Sequence, residues 1–166
     1  MKMQMLMMGV LLLAGTTFAG RDHDPMMANK LNVAGCQAAI LDQYLLGMYS
    51  EGCANQDTNQ LLDGWHSSMW GDEGAFPSLE GIYEDSQSCC NGVCDQACIR
   101  QYRGQFMSGM RTVSSLTSSG RALLLRAGRE CIQNEEMTGP EFQEIWRGYW
   151  SDTMQCFGSG GAVVID

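Results

Sequence analysis

The sequence has few of the features on which metal sites, glycosylation and membrane insertion depend. Histidine occurs only twice, at His23 and His66. No asparagine begins an Asn-x-Ser/Thr acceptor, so N-linked glycosylation is not expected. The longest uninterrupted run of acids is two residues, as at Glu135-Glu136, whereas acidic matrix proteins carry dense runs. After the N-terminal apolar segment, no second run is long enough to span a bilayer.

The N-terminal segment has the layout of a secretory signal peptide. Lys2 is the only charge before Arg21, and the apolar run MQMLMMGVLLLAG follows it. Thr17 and Ala19 stand at the minus-three and minus-one positions of a cleavage before Gly20, as signal peptidase requires. The run is shorter than the roughly 20 residues that cross a membrane. We predict a signal peptide over 1–19, a single secreted domain over 20–157, a flexible tail over 158–166, and no membrane span once the signal is removed.

The eight cysteines indicate a disulfide framework. An even number of thiols in an exported chain is typical of such frameworks. A zinc site would need C-x2-C pairs with matching histidines, but four of the cysteines are spaced CC-x3-C-x3-C, so neither a metal nor another cofactor is expected. The cysteines predicted to form disulfides are Cys36, Cys53, Cys89, Cys90, Cys94, Cys98, Cys131 and Cys156.

The spacing of the clustered cysteines predicts how they pair. Cys90, Cys94 and Cys98 recur every four residues, which places them on one face of an amphipathic helix from about 87 to 116. Thiols on one helix face favour partners on neighbouring elements, and a bridge between adjacent Cys89 and Cys90 would be strained. We therefore expect four links from this helix, one each to Cys36, Cys53, Cys131 and Cys156, in an order that the sequence leaves open.

The other segments also have helical periodicity. Asn32 is the predicted cap of a first helix ending near Gly47 or Gly52, a short second helix starts at Asp57 or Asn59, and a further one starts at Ser118 or Ser119. The predicted inward residues are Val33, Cys36, Ile40, Tyr44 and Met48, then Leu61, Leu62 and Trp65, then Leu123, Leu124, Ala127 and Cys131.

The clearest helix start is TGPE at 138–141. Thr138 and Glu141 match a capping box, and Pro140 stands in the first turn, where it costs no hydrogen bond. Phe142, Ile145, Trp146, Tyr149, Thr153 and Cys156 then form one apolar face that ends at Gly158. Because strand alternation is lacking, we predict an all-α fold, a disulfide-stapled bundle of four or five helices.

Charge is unevenly distributed along the chain. The net charge is −9, and loss of Lys2 with the signal peptide makes it −10. Residues 31–99 hold ten acids and no lysine or arginine, 100–129 hold six arginines and no acid, and 130–166 hold seven acids and one arginine. The arginine strip either pairs with acidic helices of the same molecule or steers an anionic partner. A nucleic-acid partner is not expected for an exported protein this acidic.

No catalytic constellation is recognisable, so we predict that the protein is not an enzyme. Secreted phospholipases A2 place a His-Asp pair just after a Cys-Cys pair, and here 91–94 reads Asn-Gly-Val-Cys instead. His66 lies in GWHSSMWG, where the apolar residues either fill a core edge or form an exposed contact. The candidate partner-binding residues are Trp65, His66, Met69 and Trp70, and separately Arg121, Arg126 and Arg129.

In SSGRALLLRAGRECI at 118–132, a glycine, a basic residue and an apolar run lead to a cysteine, and this segment resembles a helix of the stanniocalcin family. VAGCQAAI at 33–40, EGC at 51–53, CNGVCD at 90–95 and EFQEI at 141–145 follow the order of its cysteine-bearing segments. The resemblance implies a secreted, helical, disulfide-rich, hormone-like protein that acts without catalysis.

Three functions are consistent with these observations. The first is an extracellular signalling or receptor-binding factor whose partner is another protein. The second is an extracellular carrier of a small apolar molecule or lipid, because helical disulfide bundles can enclose apolar cavities. The third is a secreted matrix or toxin-like protein. The sequence leaves the oligomeric state open.

Overall fold

The computed structural model describes residues 24–50, 52 and 54–158. The predicted signal peptide, most of the predicted tail and Cys53 lie outside these residues. The described residues form five α-helices, so the predicted all-α fold is confirmed. The helices are α1 (Pro25–Ser50), α2 (Gln56–Trp70), α3 (Ala75–Ser86), α4 (Gln96–Gln133) and α5 (Gly139–Gly158). A 3-10 turn at Gln87–Cys89 and two strands of two residues each, β1 (Cys90–Asn91) and β2 (Val93–Cys94), connect α3 to α4.

Helix α4 is the centre of the bundle. Its 38 residues span about 57 Å at 1.5 Å per residue, and α1, α2 and α3 all pack against it. Helix α5 packs chiefly on α1. Phe106 and Leu124 of α4 are fully buried, together with Leu41 of α1, Leu79 of α3 and Tyr149 of α5. The apolar stripes of all five helices thus meet in one core.

The prediction of two separate helices over 87–133 was wrong, because α4 is continuous through the Ser118-Ser119-Gly120 sequence. Serine and glycine are poor helix formers, but packing overrides propensity here. Gly120 is buried, and a Cβ at this position would lie 2.7 Å from side-chain atoms of Leu41 and Trp65. The glycine lets α1 and α2 approach α4 closely at this point.

The predicted start of the first of these two helices, near residue 87, was also wrong, since Cys90 and Cys94 lie in a hairpin rather than on a helix. They pair across the ladder, and Gly92 between them has φ +94°, in the left-handed region that favours glycine. Asn-Gly is a strong hairpin signal that the four-residue cysteine spacing obscured. Helix α4 begins only after Asp95, whose Oδ1 accepts hydrogen bonds from the backbone N of Ala97 and Cys98 at 2.9 and 3.2 Å.

The predicted disulfide pairing was wrong for the same reason. The hairpin reverses the chain, so Cys89 pairs with Cys98 and Cys90 pairs with Cys94, both locally. Cys131 is also disulfide-bonded, and no described cysteine is free. The long-range bridge among the described residues joins Cys36 to Cys156, across a separation of 120 residues.

The Cys36–Cys156 disulfide holds α5 against α1. Closing a loop of this length contributes about 4–5 kcal/mol by the chain-entropy estimate. Beside it, the Tyr44 hydroxyl of α1 donates a hydrogen bond of 2.7 Å to Asp152 Oδ2 of α5. Desolvation, with a smaller contribution from this hydrogen bond, raises the pKa of Tyr44 well above its ordinary value, so the phenol stays protonated as a donor.

The predicted start of α5 is confirmed. The backbone N of Thr138 donates to Glu141 Oε2 at 2.7 Å, and the backbone N of Glu141 donates to Thr138 Oγ1 at 3.4 Å, which is the reciprocal capping box. Hydrogen bonds from the backbone and side chain of Thr138 lower the pKa of Glu141. The inward positions predicted for α5, from Phe142 to Cys156, are all buried or half-buried.

Three further details differ from the sequence-based expectation. Helix α1 starts at Pro25 rather than at Asn32, with Asp24 as its cap: Asp24 Oδ1 accepts from the backbone N of Met27 at 3.2 Å, and the same carboxylate pairs with Arg103 of α4. Leu61 was expected to face inward but is 45% exposed. Helix α3 was not predicted.

Candidate ligand-binding groove

Two of the four residues predicted from GWHSSMWG are part of the core. Trp65 and Met69 are 4% and 0% exposed, so of the two alternatives these side chains fill the core and do not form an exposed contact, which removes them as candidates for partner binding. Trp65 Nε1 also donates a hydrogen bond of 2.7 Å to the backbone oxygen of Leu116. The segment lies on α2, where positions four apart share a face, so these two side chains point inward together.

The other two residues of that set lie apart from each other. His66 is exposed, and its Nδ1 lies 2.8 Å from Asp42 Oδ1 on α1. Trp70 is half-buried at the end of α2, and its ring centroid is 5.0 Å from that of Phe76. The helix therefore separates the four residues, and they do not form one surface.

The three predicted arginines also point in different directions. Arg129 is exposed, whereas Arg126 Nε lies 3.3 Å from Glu130 Oε1 on the next turn of α4. The guanidinium carbon of Arg121 lies 5.5 Å from the centre of the Trp150 ring on α5, a cation–π contact. Of the sequence-predicted residues, Arg121 is the one that lines the groove described below.

Arg126 belongs to a structural network centred on Glu130. The Glu130 carboxylate accepts hydrogen bonds from the backbone N and the side-chain Nδ2 of Asn55, at 3.0 and 3.1 Å, and from Thr58 Oγ1 at 2.8 Å. Desolvation raises the pKa of Glu130, but these hydrogen bonds together with Arg126 outweigh it, so the pKa is lowered overall. This network connects the start of α2 to α4. The charge of Arg126 is therefore explained by contacts within the molecule and does not call for a binding partner.

A groove of about 300 Å³ lies between α1, α4 and the C-terminal end of α5. This volume is at the lower end of the range for small-molecule sites, about 300–1,000 Å³. The lining is mixed, with five apolar residues, four neutral polar residues and two cations. The residues that line it are Asn29, Lys30, Val33, Ala34 and Gln37 of α1, Met110, Val113, Ser114, Thr117 and Arg121 of α4, and Phe157 of α5.

The two cations lie at opposite ends of the groove. Lys30 Nζ is 3.7 Å from Met107 Sδ, near the end of the groove at Met110. Arg121 lies eleven residues beyond Met110 on the same helix, which is about 16 Å along its axis. No carboxylate of the residues that the structure describes lies within the 4.0 Å ion-pair distance of either cation.

Neutral groups hold Arg121 in position. Its guanidinium contacts the Trp150 ring, with the guanidinium carbon 5.5 Å from the ring centre, and lies near Tyr149. Burial raises the pKa of Tyr149, and the nearby positive charge of Arg121 partly offsets this rise. Since neither partner is ionised at neutral pH, the charge of Arg121 is left available to an incoming anion.

An exposed apolar stripe runs along α5 from the mouth of the groove. Trp150, Met154 and Phe157 are spaced four and three residues apart, so they share one helix face. They are 42%, 65% and 61% exposed. Phe157 belongs to both the stripe and the groove, so the two surfaces are continuous.

Sequence reasoning missed most of the groove. Lys30 of α1 and Phe157 of α5 come from helices far apart in the chain, and no local motif joins them. One signal was present: Lys30 is the last lysine or arginine before the 31–99 segment, which lacks both. Because Lys30 is far in sequence from the arginines of α4, the sequence did not indicate that it lies beside that helix.

Neither a known protein-family model, nor a curated protein, nor a solved structure matches this chain. The resemblance to stanniocalcins therefore stays a prediction. Within residues 24–50, 52 and 54–158, no set of three or more histidine, cysteine or acidic side chains is placed to hold a metal ion. None of the described helices is long and apolar enough to cross a membrane.

Proposed function

We propose that the protein is an exported, non-enzymatic carrier that binds a small amphiphilic molecule in the α1–α4–α5 groove. The observation that carries this proposal is the groove itself, with its apolar residues and two cations that lack carboxylate partners among the described residues. Concave sites that combine apolar side chains with a few charged groups are typical of small-molecule binding. The oxidised cysteines support export, because disulfides persist in extracellular compartments.

Filling the groove tests this function. Ser114 lines the groove and is exposed, so Ser114→Trp should occupy it without removing any core contact. Ser115 is the next residue of α4, is also exposed and does not line the groove, which makes Ser115→Trp the matched control. The measurement is fluorescence enhancement of the neutral apolar dye N-phenyl-1-naphthylamine, with native mass spectrometry of the protein as purified.

The expected result is dye binding by the wild type and Ser115→Trp, and its loss in Ser114→Trp. Equal binding by all three proteins would show that the dye site is elsewhere. No binding by the wild type, with no co-purified ligand, would contradict the carrier function. Circular dichroism of each variant checks that the helices are intact.

The exposed stripe on α5 favours a second candidate, the extracellular signalling or receptor-binding factor. Trp150, Met154 and Phe157 beside Arg121 have the composition of protein–protein interfaces, in which aromatic residues, methionine and arginine are enriched. Met154→Glu changes the stripe outside the groove lining. A role in receptor binding predicts that this substitution abolishes binding of the labelled protein to responsive cells while dye binding is retained, and unchanged cell binding would contradict it.

A further inference from the structure

The groove also indicates which chemical class of ligand it selects, an inference that rests on the proposed carrier function. We infer that the ligand is a single-chain anionic amphiphile, with its acidic head group on Arg121 and its apolar chain along α1 and α4 toward Lys30.

Arg121 is the better of the two cations for the head group. Its half-buried side chain is held against the Trp150 ring, so little conformational entropy is lost when an anion binds. A guanidinium presents a planar fork of donors that matches a carboxylate, sulfate or phosphate. The contact with one face of the indole ring leaves N–H groups at the edge of the guanidinium for such a ligand.

The floor of the groove fits a chain rather than a compact anion. From Arg121 toward Met110, the walls present Val113 of α4 and Val33 and Ala34 of α1. Val113 and Ala34 are buried and Val33 is half-buried, and they form part of the apolar lining. The groove runs about 16 Å along α4 from Met110 to Arg121, with the polar Ser114 and Thr117 between Val113 and Arg121, and this length is far beyond the reach of a simple carboxylate.

The charges of the groove exclude the opposite class of amphiphile. The two ionisable side chains that line it, Lys30 and Arg121, are both cationic, and no acid lines it. A cationic head group would meet only like charge, whereas an anionic one gains a charge-assisted hydrogen bond at Arg121. Such a bond typically contributes about 1.5–3 kcal/mol, which corresponds to roughly a 10- to 100-fold change in affinity.

The test compares ligands of equal chain length by isothermal titration calorimetry of the full chain: decanoate, decan-1-ol and decyltrimethylammonium, with acetate as the head group alone. We expect decanoate to bind at least tenfold more tightly than the alcohol, and neither acetate nor the cationic amphiphile to bind. Arg121→Gln should weaken decanoate binding at least tenfold and leave the affinity for the alcohol unchanged. Arg129→Gln makes the same charge change at an exposed site on the same helix, so it should stay within twofold of the wild type.

Arg121→Lys is a second variant, in case Arg121→Gln disturbs the packing of α5. It retains the positive charge but lacks the planar set of guanidinium N–H donors. It should bind decanoate with intermediate affinity.

Equal affinity for decanoate and decan-1-ol would overturn the anionic assignment and leave the carrier function standing, whereas binding of none of the chain ligands would overturn both. A tenfold loss in Lys30→Gln with none in Arg121→Gln would overturn the placement of the head group. Decanoate binding only in a Val163→Ser, Val164→Ser, Ile165→Ser variant would show that the chain's own C-terminal residues are the occupant, and would also overturn the inference.

Discussion

Gly128 and Gly104 make a sharp comparison, because one helix carries both in opposite environments. A Cβ at Gly128 would lie 2.1 Å from Phe142 Cε2, 2.3 Å from Cζ and 2.5 Å from Cδ2. The Phe142 ring of α5 lies directly on the backbone of α4 here, and both residues are buried. A Cβ at Gly104 would meet no atom within 4 Å. Alanine therefore fits at one position and clashes at the other.

Both substitutions to alanine raise the helix propensity of α4, but only Gly128→Ala creates a steric clash, with the Phe142 ring. Replacing an exposed helical glycine by alanine stabilises by up to about 1 kcal/mol, which is the expectation for Gly104→Ala. Gly128→Ala gains the same term but forces the Phe142 ring to move, and overpacking of a core costs about 1–3 kcal/mol. Gly128→Ala should therefore be less stable than Gly104→Ala by about 1–3 kcal/mol, or roughly 3–10 °C in Tm.

Urea unfolding followed by circular dichroism measures both free energies with the disulfides intact. Phe142→Leu removes the Cε2 and Cζ atoms that cause the closest contacts, so Gly128→Ala should be less destabilising in that background. This double-mutant cycle separates the clash from any other effect of the alanine. If Gly128→Ala were as stable as Gly104→Ala, or equally destabilising with and without the phenylalanine ring, the packing of α5 on α4 described above would be incorrect.

Two further predictions concern stability and the cysteines. Glu130→Gln should destabilise by about 1–3 kcal/mol at pH 7, because the carboxylate accepts hydrogen bonds at the start of α2. Since these hydrogen bonds lower the pKa of Glu130 in the folded chain, its contribution is complete above the ordinary glutamate pKa of about 4.3 and lost on further acidification. The difference in the free energy of urea unfolding between wild type and variant should thus become smaller below about pH 4. A difference that does not depend on pH would refute the role of the charge. Iodoacetamide should label none of the described cysteines without prior reduction, as read by peptide mass spectrometry; labelling of Cys90 or Cys94 would contradict the oxidised hairpin.

Local chemistry explains which helices the sequence could predict. The start of α5 was predictable because Thr138, Pro140 and Glu141 specify it within four residues. The continuity of α4 was not, because only contacts with Leu41 and Trp65, distant in sequence, compensate for the weak propensity at Gly120. Prediction thus succeeded where the determinants were local and failed where tertiary packing decided.

The cysteine pairing failed through a wrong period rather than through missing information. A spacing of four residues fits a helix, but the Asn91-Gly92 turn fits a hairpin, and the hairpin is what forms. The same spacing then means that Cys90 and Cys94 face each other instead of facing a neighbouring helix. The turn residues carried more weight than the periodicity.

The groove lay beyond sequence reasoning for a geometric reason. Lys30 and Arg121 line the same groove only because α1 and α4 lie side by side and α5 ends beside them. Charge counting did identify the arginine strip, but helix geometry directs Arg121, Arg126 and Arg129 to different surroundings. Counting charges thus located the arginines in the chain, but it wrongly grouped them into a single surface.

The bond between Cys36 and Cys156 has a consequence for how the protein tolerates damage. It turns most of the chain into a covalent ring that includes every connection between helices from α1 to α5. A single protease cut anywhere inside that ring leaves both pieces attached, so the nicked molecule can keep its fold. Release of a fragment requires either a second cut or reduction of the disulfide.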